Sequence, residues 1–373
     1  MLGPLSVYFS QELHLTATER GLVIATPILA GAAYRLIWGV LVDRMGPKRA
    51  GLLGLSLTFL PLVFGCYGGN SFSNMILMGI LLGIPGASFA VSLPMVSQWY
   101  PPRYQGIAMG IAGAGNSGTV LAALLLPRLA EKYNWHVAMA LMMIPLAGMF
   151  LIFLFCAKDC PAHRGPPLKW RDYTAIFKQL DTLWFCFFYS ITFGGFVGLA
   201  ALLAPFFCDQ YGVTRVRAGE LTALCACAGS FMRPVGGMIA DKFSGLRVLP
   251  FIYFLAGILL LLLSTLPGVH VSTILFFFTL AVLGAGNGAV FQLVAQRFKT
   301  HLGLITGLVG AAGGLGGFFL PTLLGGLKDV TGSYAGGLLV SGIGCFWALS
   351  LVLAVQNGWR LTWAAKEKAA AAN

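Results

Sequence analysis

Arg35 and Arg233 are the residues in this chain that could do chemistry. Each stands inside a long apolar stretch, eight residues before an aspartate, Asp43 or Asp241, that closes it. Eight helical residues cover about 12 Å along the axis, so a reach back to a polar surface would be strained. An arginine does not shed its proton, and at the centre of a membrane helix it costs about 2.5–3.5 kcal/mol. Snorkelling or bonding to backbone carbonyls is the bland explanation. Matching positions in two related segments favour a functional one. Two inward-facing guanidiniums with no carboxylate between them need an anion. The planar guanidinium fork suits a planar oxyanion through paired N–H···O bonds.

Few other polar groups share that depth. Asn116 interrupts a glycine run, Tyr189 and Thr192 share one apolar stretch, and Asn287 and Gln292 share another. Each amide also fits plain helix-to-helix hydrogen bonding. Phe89, Phe193 and Phe291 are placed to wall a flat anion, although packing alone also accounts for a membrane phenylalanine. Trp38, one turn from Arg35, is a candidate stacking partner. No Asp or Glu lies in the middle of an apolar stretch, and the five histidines lie in loops or at edges. A carboxylate or imidazole that could relay a proton across the membrane is therefore missing. Nor does the sequence offer a nucleophile–base pair, so it does not read as an enzyme.

Gly113, Gly115 and Gly118 spell GxGxxG, and Gly313, Gly314, Gly316 and Gly317 form a second run. A dinucleotide fingerprint needs a strand before its turn. Here the motif lies in an apolar helix, so no nucleotide or other cofactor is expected. Both runs read instead as close helix contacts along which two half-domains slide or rock.

The elements that position these residues follow from composition. Of 373 residues, 58% are hydrophobic and only 10% are charged, against about 25% charged in soluble domains. An ordinary soluble fold is excluded. Apolar spans of membrane length are expected at 21–43, 48–68, 72–98, 105–127, 135–157, 180–208, 218–240, 247–267, 271–295, 302–325 and 335–357. Residues 1–9 are apolar but cover only about 14 Å at helical rise. They are expected to be the second half of a truncated first helix. A lipid bilayer is therefore the expected surround.

The net charge of +12 is explained by topology rather than by a nucleic-acid partner. Sixteen basic residues fall on the side of the 158–179 loop, and six fall on the other. By the positive-inside rule, that loop and the C-terminus are cytoplasmic in a multi-pass inner-membrane protein. The eight cysteines lie mostly in apolar spans and read as small core residues. The loose group Cys156, Cys160 and His163 matches no firm zinc spacing, so no metal is expected.

Shifted by 198 residues, the chain aligns with itself. Arg35, Gly39, Asp43, Arg44 and Arg49 fall on Arg233, Gly237, Asp241, Lys242 and Arg247, and Thr16 and Gly21 fall on Thr214 and Gly219. The expected organisation is an N-terminal helical half at 1–157, a linker at 158–179 and a C-terminal half at 180–373. Parallel six-helix halves bind substrate at the midplane between them.

The loop GVLVDRMGPKR (39–49) is typical of the major facilitator superfamily. The combination of LAGAAYR (29–35), GIPGASFA (83–90), GIAGAGNSGTV (110–120), YSITFGGFVGL (189–199), GSFMRPVGG (229–237), GAGNGAVFQ (284–292) and GAAGGLGGFFLP (310–321) is narrower. It resembles the nitrate/nitrite porter family over nearly the whole chain. The resemblance implies an all-α fold of two pseudo-symmetric halves. It implies that Arg35 and Arg233 clamp the substrate, that Asn116 and Tyr189 bond to it, and that Phe89, Phe193 and Phe291 surround it. The runs 113–118 and 313–317 resemble that family's gating segments. The implied activity is alternating-access transport of nitrate or nitrite by a monomer. The missing membrane carboxylate favours exchange over proton symport. A carrier of formate, oxalate or another small anion, and a nitrate sensor without flux, are the rival readings.

Overall fold

A computed structural model describes residues 1–100, 112–160, 178–298 and 302–362. These residues are helical and connected by short loops. The first group contains α1 (Leu2–Glu12), α2 (Ala17–Met45), α3 (Pro47–Tyr67), α4 (Phe72–Gly86), α5 (Phe89–Trp99), a 3-10 turn (Ala114–Ser117), α6 (Gly118–Lys132), α7 (Trp135–Leu141) and α8 (Met143–Cys156). The second contains α9 (Leu180–Tyr211), α10 (Arg215–Phe243), α11 (Gly245–Ser264), α12 (Val269–Arg297), α13 (Leu302–Thr331) and α14 (Ala335–Leu361). Among the described residues, ten segments are long and apolar enough to cross a membrane.

The starts and stops have local causes. Thr16 accepts from the backbone N–H of Glu19 while the Glu19 carboxylate accepts from the N–H of Thr16, a capping box that starts α2. Gly46, at φ +85°, ends α2, and Pro47 opens α3. Gly212, at φ +62°, ends α9 in the left-handed region, which glycine enters without strain. Thr214 then caps α10. Thr16 and Thr214 are repeat partners and do the same work at the same place.

Three expected spans are not single helices. The 72–98 span breaks between α4 and α5, just after Pro85. Its two pieces still form one apolar membrane segment through Val96. The 135–157 span divides at Met142 into α7 and α8. The 105–127 span begins outside the described residues, and its remainder is the 3-10 turn followed by α6. Most of the 158–179 linker, with His163, also lies outside them. α1 is 11 residues long, shorter than a membrane crossing.

Large apolar side chains face outward around the bundle. Ile144, Phe155, Phe251 and Trp347 are all more than half exposed, as lipid-facing residues are. The buried core is densest in the second group, where Phe185, Phe188, Tyr189 and Tyr253 are enclosed.

Among the described residues the main contacts between the groups are α2 against α13, α6 against α10 and α1 against α9. Their closeness changes along the bundle. A methyl added at Gly21 would sit 2.6 Å from the Pro321 carbonyl oxygen, and one at Gly219 would sit 2.5 Å from that of Ala123. Toward the basic ends of the same helices, Gly39, Gly237 and Gly307 have nothing within 4 Å of that position among the described residues. The helices therefore touch backbone to backbone near Gly21 and Gly219.

Candidate functional site

Arg35 lies beyond the midpoint of α2. There α2 meets α4 through Gly31, where an added methyl would lie 3.3 Å from the Gly83 carbonyl and from Gly86 Cα. That approach puts the end of α4 beside the guanidinium. Arg35 Nε donates to the Gly86 carbonyl at 3.4 Å, and Nη1 donates to the carbonyl of Gly310 on α13. The arginine of the first group is thus held partly by a backbone oxygen of the second.

Arg233 lies at the matching place on α10. Its Nη2 donates to the Tyr189 hydroxyl at 3.3 Å. Among the described residues, its buried Nη1 has no hydrogen-bond partner, and the same holds for Nδ2 of Asn116. Asn116 belongs to the 3-10 turn, which packs against α10. In that same stretch, the Cβ position of Gly113 lies 3.5 Å from Arg233 Nε. One unsatisfied donor therefore stands on Arg233 and another on the turn packed against its helix. A buried donor without an acceptor is costly, and an anion would satisfy both.

The aromatic residues bring the two arginines into one site. The Arg35 guanidinium carbon lies 6.0 Å from the Phe89 ring centre and 5.5 Å from that of Phe193. The Arg233 carbon lies 5.7 Å from Phe89, 5.9 Å from Phe193 and 5.4 Å from Phe291. Tyr189 stacks on Phe193 at 5.0 Å, with ring planes 6° apart, and meets Phe291 edge-on at 4.7 Å. Six of the seven residues expected at the site, Arg35, Arg233, Tyr189, Phe89, Phe193 and Phe291, are linked through these contacts, and Asn116 is placed near them only by the packing of its 3-10 turn against α10.

Other expectations resolve differently. Trp38 is buried and turned toward α3, with Nε1 2.9 Å from the Cβ position of Gly54. The rings around Arg35 are Phe89 and Phe193 instead. Gln292 accepts from the N–H of Gly245 and bonds Asp241, so it fastens the α10–α11 turn. Thr192 donates to the Phe188 carbonyl within its own helix. Asn287 is buried, and its Oδ1 has no partner.

The glycine runs do unlike things. An added methyl at Gly313 would strike the Tyr189 ring at 2.5 Å, and one at Gly316 would strike the Ser190 carbonyl. At Gly314 it would meet Ala32, and at Gly317 the Ile28 side chain at 3.0 Å. This run is where α13 fits tightly between α9 and α2. Gly115 and Gly118 have nothing within 4 Å. They flank Asn116 at the 3-10 turn, and a 3-10 stretch within a helix often marks a hinge.

Sequence reasoning missed the two carbonyls on Arg35, because a backbone oxygen leaves no trace in residue type. It also missed Asp209, near the end of α9, which the ion-pair geometry finds beside Arg20 and Lys328. Its place within three residues of a helix end hid it among ordinary loop charges.

Comparison with known proteins shows the family of the chain. The family model described as Major Facilitator Superfamily matches residues 1–321. A probable nitrate/nitrite transporter, NarK2, of Mycobacterium tuberculosis is 36% identical over 351 residues, covering 91% of this chain and 88% of the relative. A nitrite extrusion protein of Bacillus subtilis is 32% identical, with 91% and 85% covered. A probable nitrate/nitrite antiporter, NarK1, of Thermus thermophilus is 31% identical, with 87% and 80% covered. Among solved structures, a bacterial homologue of the human lysosomal transporter Spinster, in an inward-facing and occupied conformation, superposes with a TM-score of 0.70. It is 16% identical and covers 95% of this chain and 92% of that one, a likeness of fold alone.

Proposed function

The chain belongs to the nitrate/nitrite porter family of the major facilitator superfamily, and from that premise we propose that it carries nitrate and nitrite across the cell membrane by alternating access. The observation that carries this reading is the pair of guanidiniums, one from each group of helices, around the same two rings. An unsatisfied donor on Arg233 lies at that contact, and a second on Asn116 lies in the 3-10 turn packed against the Arg233 helix. A small planar oxyanion fits between them. Its oxygens accept from Arg35, Arg233, Asn116 and Tyr189, while Phe89, Phe193 and Phe291 exclude water and enclose its faces. The functional halves are 1–157 and 180–373, joined by the 158–179 linker, and the carrier works as a monomer. The anion passes through without covalent change.

Exchange follows from charge. An inside-negative potential opposes anion entry by about 2.3 kcal/mol per 100 mV. One-for-one replacement of internal nitrite by external nitrate moves no net charge and escapes that cost. Two like charges without an anion between them resist closure of the site, so the carrier changes sides only when loaded. The runs at 113–118 and 313–317 supply the bend and the sliding contact for that change.

Thermal stabilisation of the purified protein tests the binding reading. Nitrate and nitrite should raise the melting temperature at concentrations where formate, oxalate and chloride do not. Equal stabilisation by all five anions would assign the site to anions in general.

A further inference from the structure

A second polar cluster sits at the ends of the helices opposite the basic loops. Arg20, in the first turn of α2, has a side chain only 9% exposed, and Asp209, in the last turn of α9, is 21% exposed. Arg20 Nη1 donates to Asp209 Oδ1 at 3.2 Å, and Nη2 donates to Oδ2 and to the Tyr334 hydroxyl. Tyr334 in turn donates to Asp209 at 2.9 Å. Lys328, in the last turn of α13, also donates to Asp209. Next to Lys328, Asp329 accepts from the N–H groups of Ala17 at 3.0 Å and Thr18 at 2.6 Å. Of the groups on Asp209, only Arg20 comes from the first set of helices.

The internal repeat supplies a second, independent observation. The register that lays Arg35 on Arg233 lays Gln11 on Asp209. Gln11 accepts from Arg215 at the start of α10. The first helix of each half therefore ends by holding the start of the second helix of the other half. One of these links carries charge on one partner only and is exposed, and the other is an ion pair and largely buried.

We propose that Asp209 is a latch holding these outer ends together, and that its pair with Arg20 parts whenever the anion site opens to that side. A buried ion pair is screened little by salt, so it resists separation of the halves in a way that an exposed pair does not. Parting need not strand the carboxylate, because Lys328 and Tyr334 travel with it on the same half. An uncompensated buried charge, the usual penalty of breaking such a pair, is thereby avoided. The latch is strong when closed and tolerable when open. The inference concerns sidedness and does not depend on which anion is carried.

Pulsed electron-spin distances in lipid nanodiscs, with nitrate present so that the carrier can change sides, test it. Labels go on Tyr133→Cys and Val330→Cys, 54% and 85% exposed at the same outer end, after replacement of the native cysteines. Asp209→Asn should enlarge the long-distance population by on the order of tenfold. Arg20→Gln, which leaves Lys328 and Tyr334 on Asp209, should do the same and serves if the first variant folds poorly. Glu220→Gln, which breaks the exposed link to Arg128, should leave the distribution as in the wild type. An unchanged distribution in either latch variant, once folded, would overturn the proposal. An equal shift in Glu220→Gln would also overturn it, because closure would then belong to the whole polar seam.

Discussion

Arg35 and Arg233 come from different halves of the chain, yet each guanidinium lies within about 6 Å of the same two rings, Phe89 and Phe193. Ring faces attract cations, so these two rings let like charges approach without a carboxylate of the protein between them. The arrangement is held from both sides, since Arg35 bonds Gly310 and Arg233 bonds Tyr189. An anion arriving there gains donors from both halves at once.

Arg35→Lys and Arg233→Lys keep the charge but lose the planar fork. Each lost charge-assisted bond is worth about 1.5–3 kcal/mol. Nitrate binding, read by calorimetry on purified protein, should therefore weaken by about ten- to a hundredfold in each variant. Near-normal affinity in both would remove the clamp from the account.

Asn116→Asp places a permanent anion beside Arg233. The carboxylate would occupy the donors that nitrate uses. The empty protein should melt higher than the wild type, and its stabilisation by nitrate should fall at least tenfold in concentration dependence. A preserved nitrate response would mean that Asn116 stands outside the binding position.

Much of the site was legible in the sequence, for physical reasons. A charge at membrane depth is expensive and therefore conspicuous, and the repeat showed that Arg35 and Arg233 were equivalent. Helix ends were readable to within a few residues because the apolar runs stop at polar loops, and the structure adds that Thr16, Gly46, Gly212 and Thr214 cap or stop them. What stayed hidden depends on the backbone or on distant partners. The Gly86 and Gly310 carbonyls, the 3-10 turn at Asn116 and the break at Ala87 and Ser88 carry no side-chain signature. Asp209 was in view as a residue, but its meaning comes from Arg20, 189 positions away.

The glycines make a separable prediction. Gly313→Ala would drive a methyl into the Tyr189 ring and should lower both nitrate affinity and thermal stability, with a cost of about 1–3 kcal/mol for overpacking. Gly118→Ala meets open space and favours the helix by up to about 1 kcal/mol. It should leave binding intact and slow transport by stiffening the turn. Parallel binding and flux measurements distinguish the two effects. Normal flux in Gly118→Ala would remove that turn from the gate.

The central claim is tested most directly by labelled nitrate uptake into proteoliposomes containing the full-length protein, with no pH gradient. Vesicles preloaded with nitrite should take up nitrate rapidly, and empty vesicles should take up almost none. Uptake that ignores internal nitrite and requires an inward proton gradient would contradict exchange and demand a proton route through the bundle.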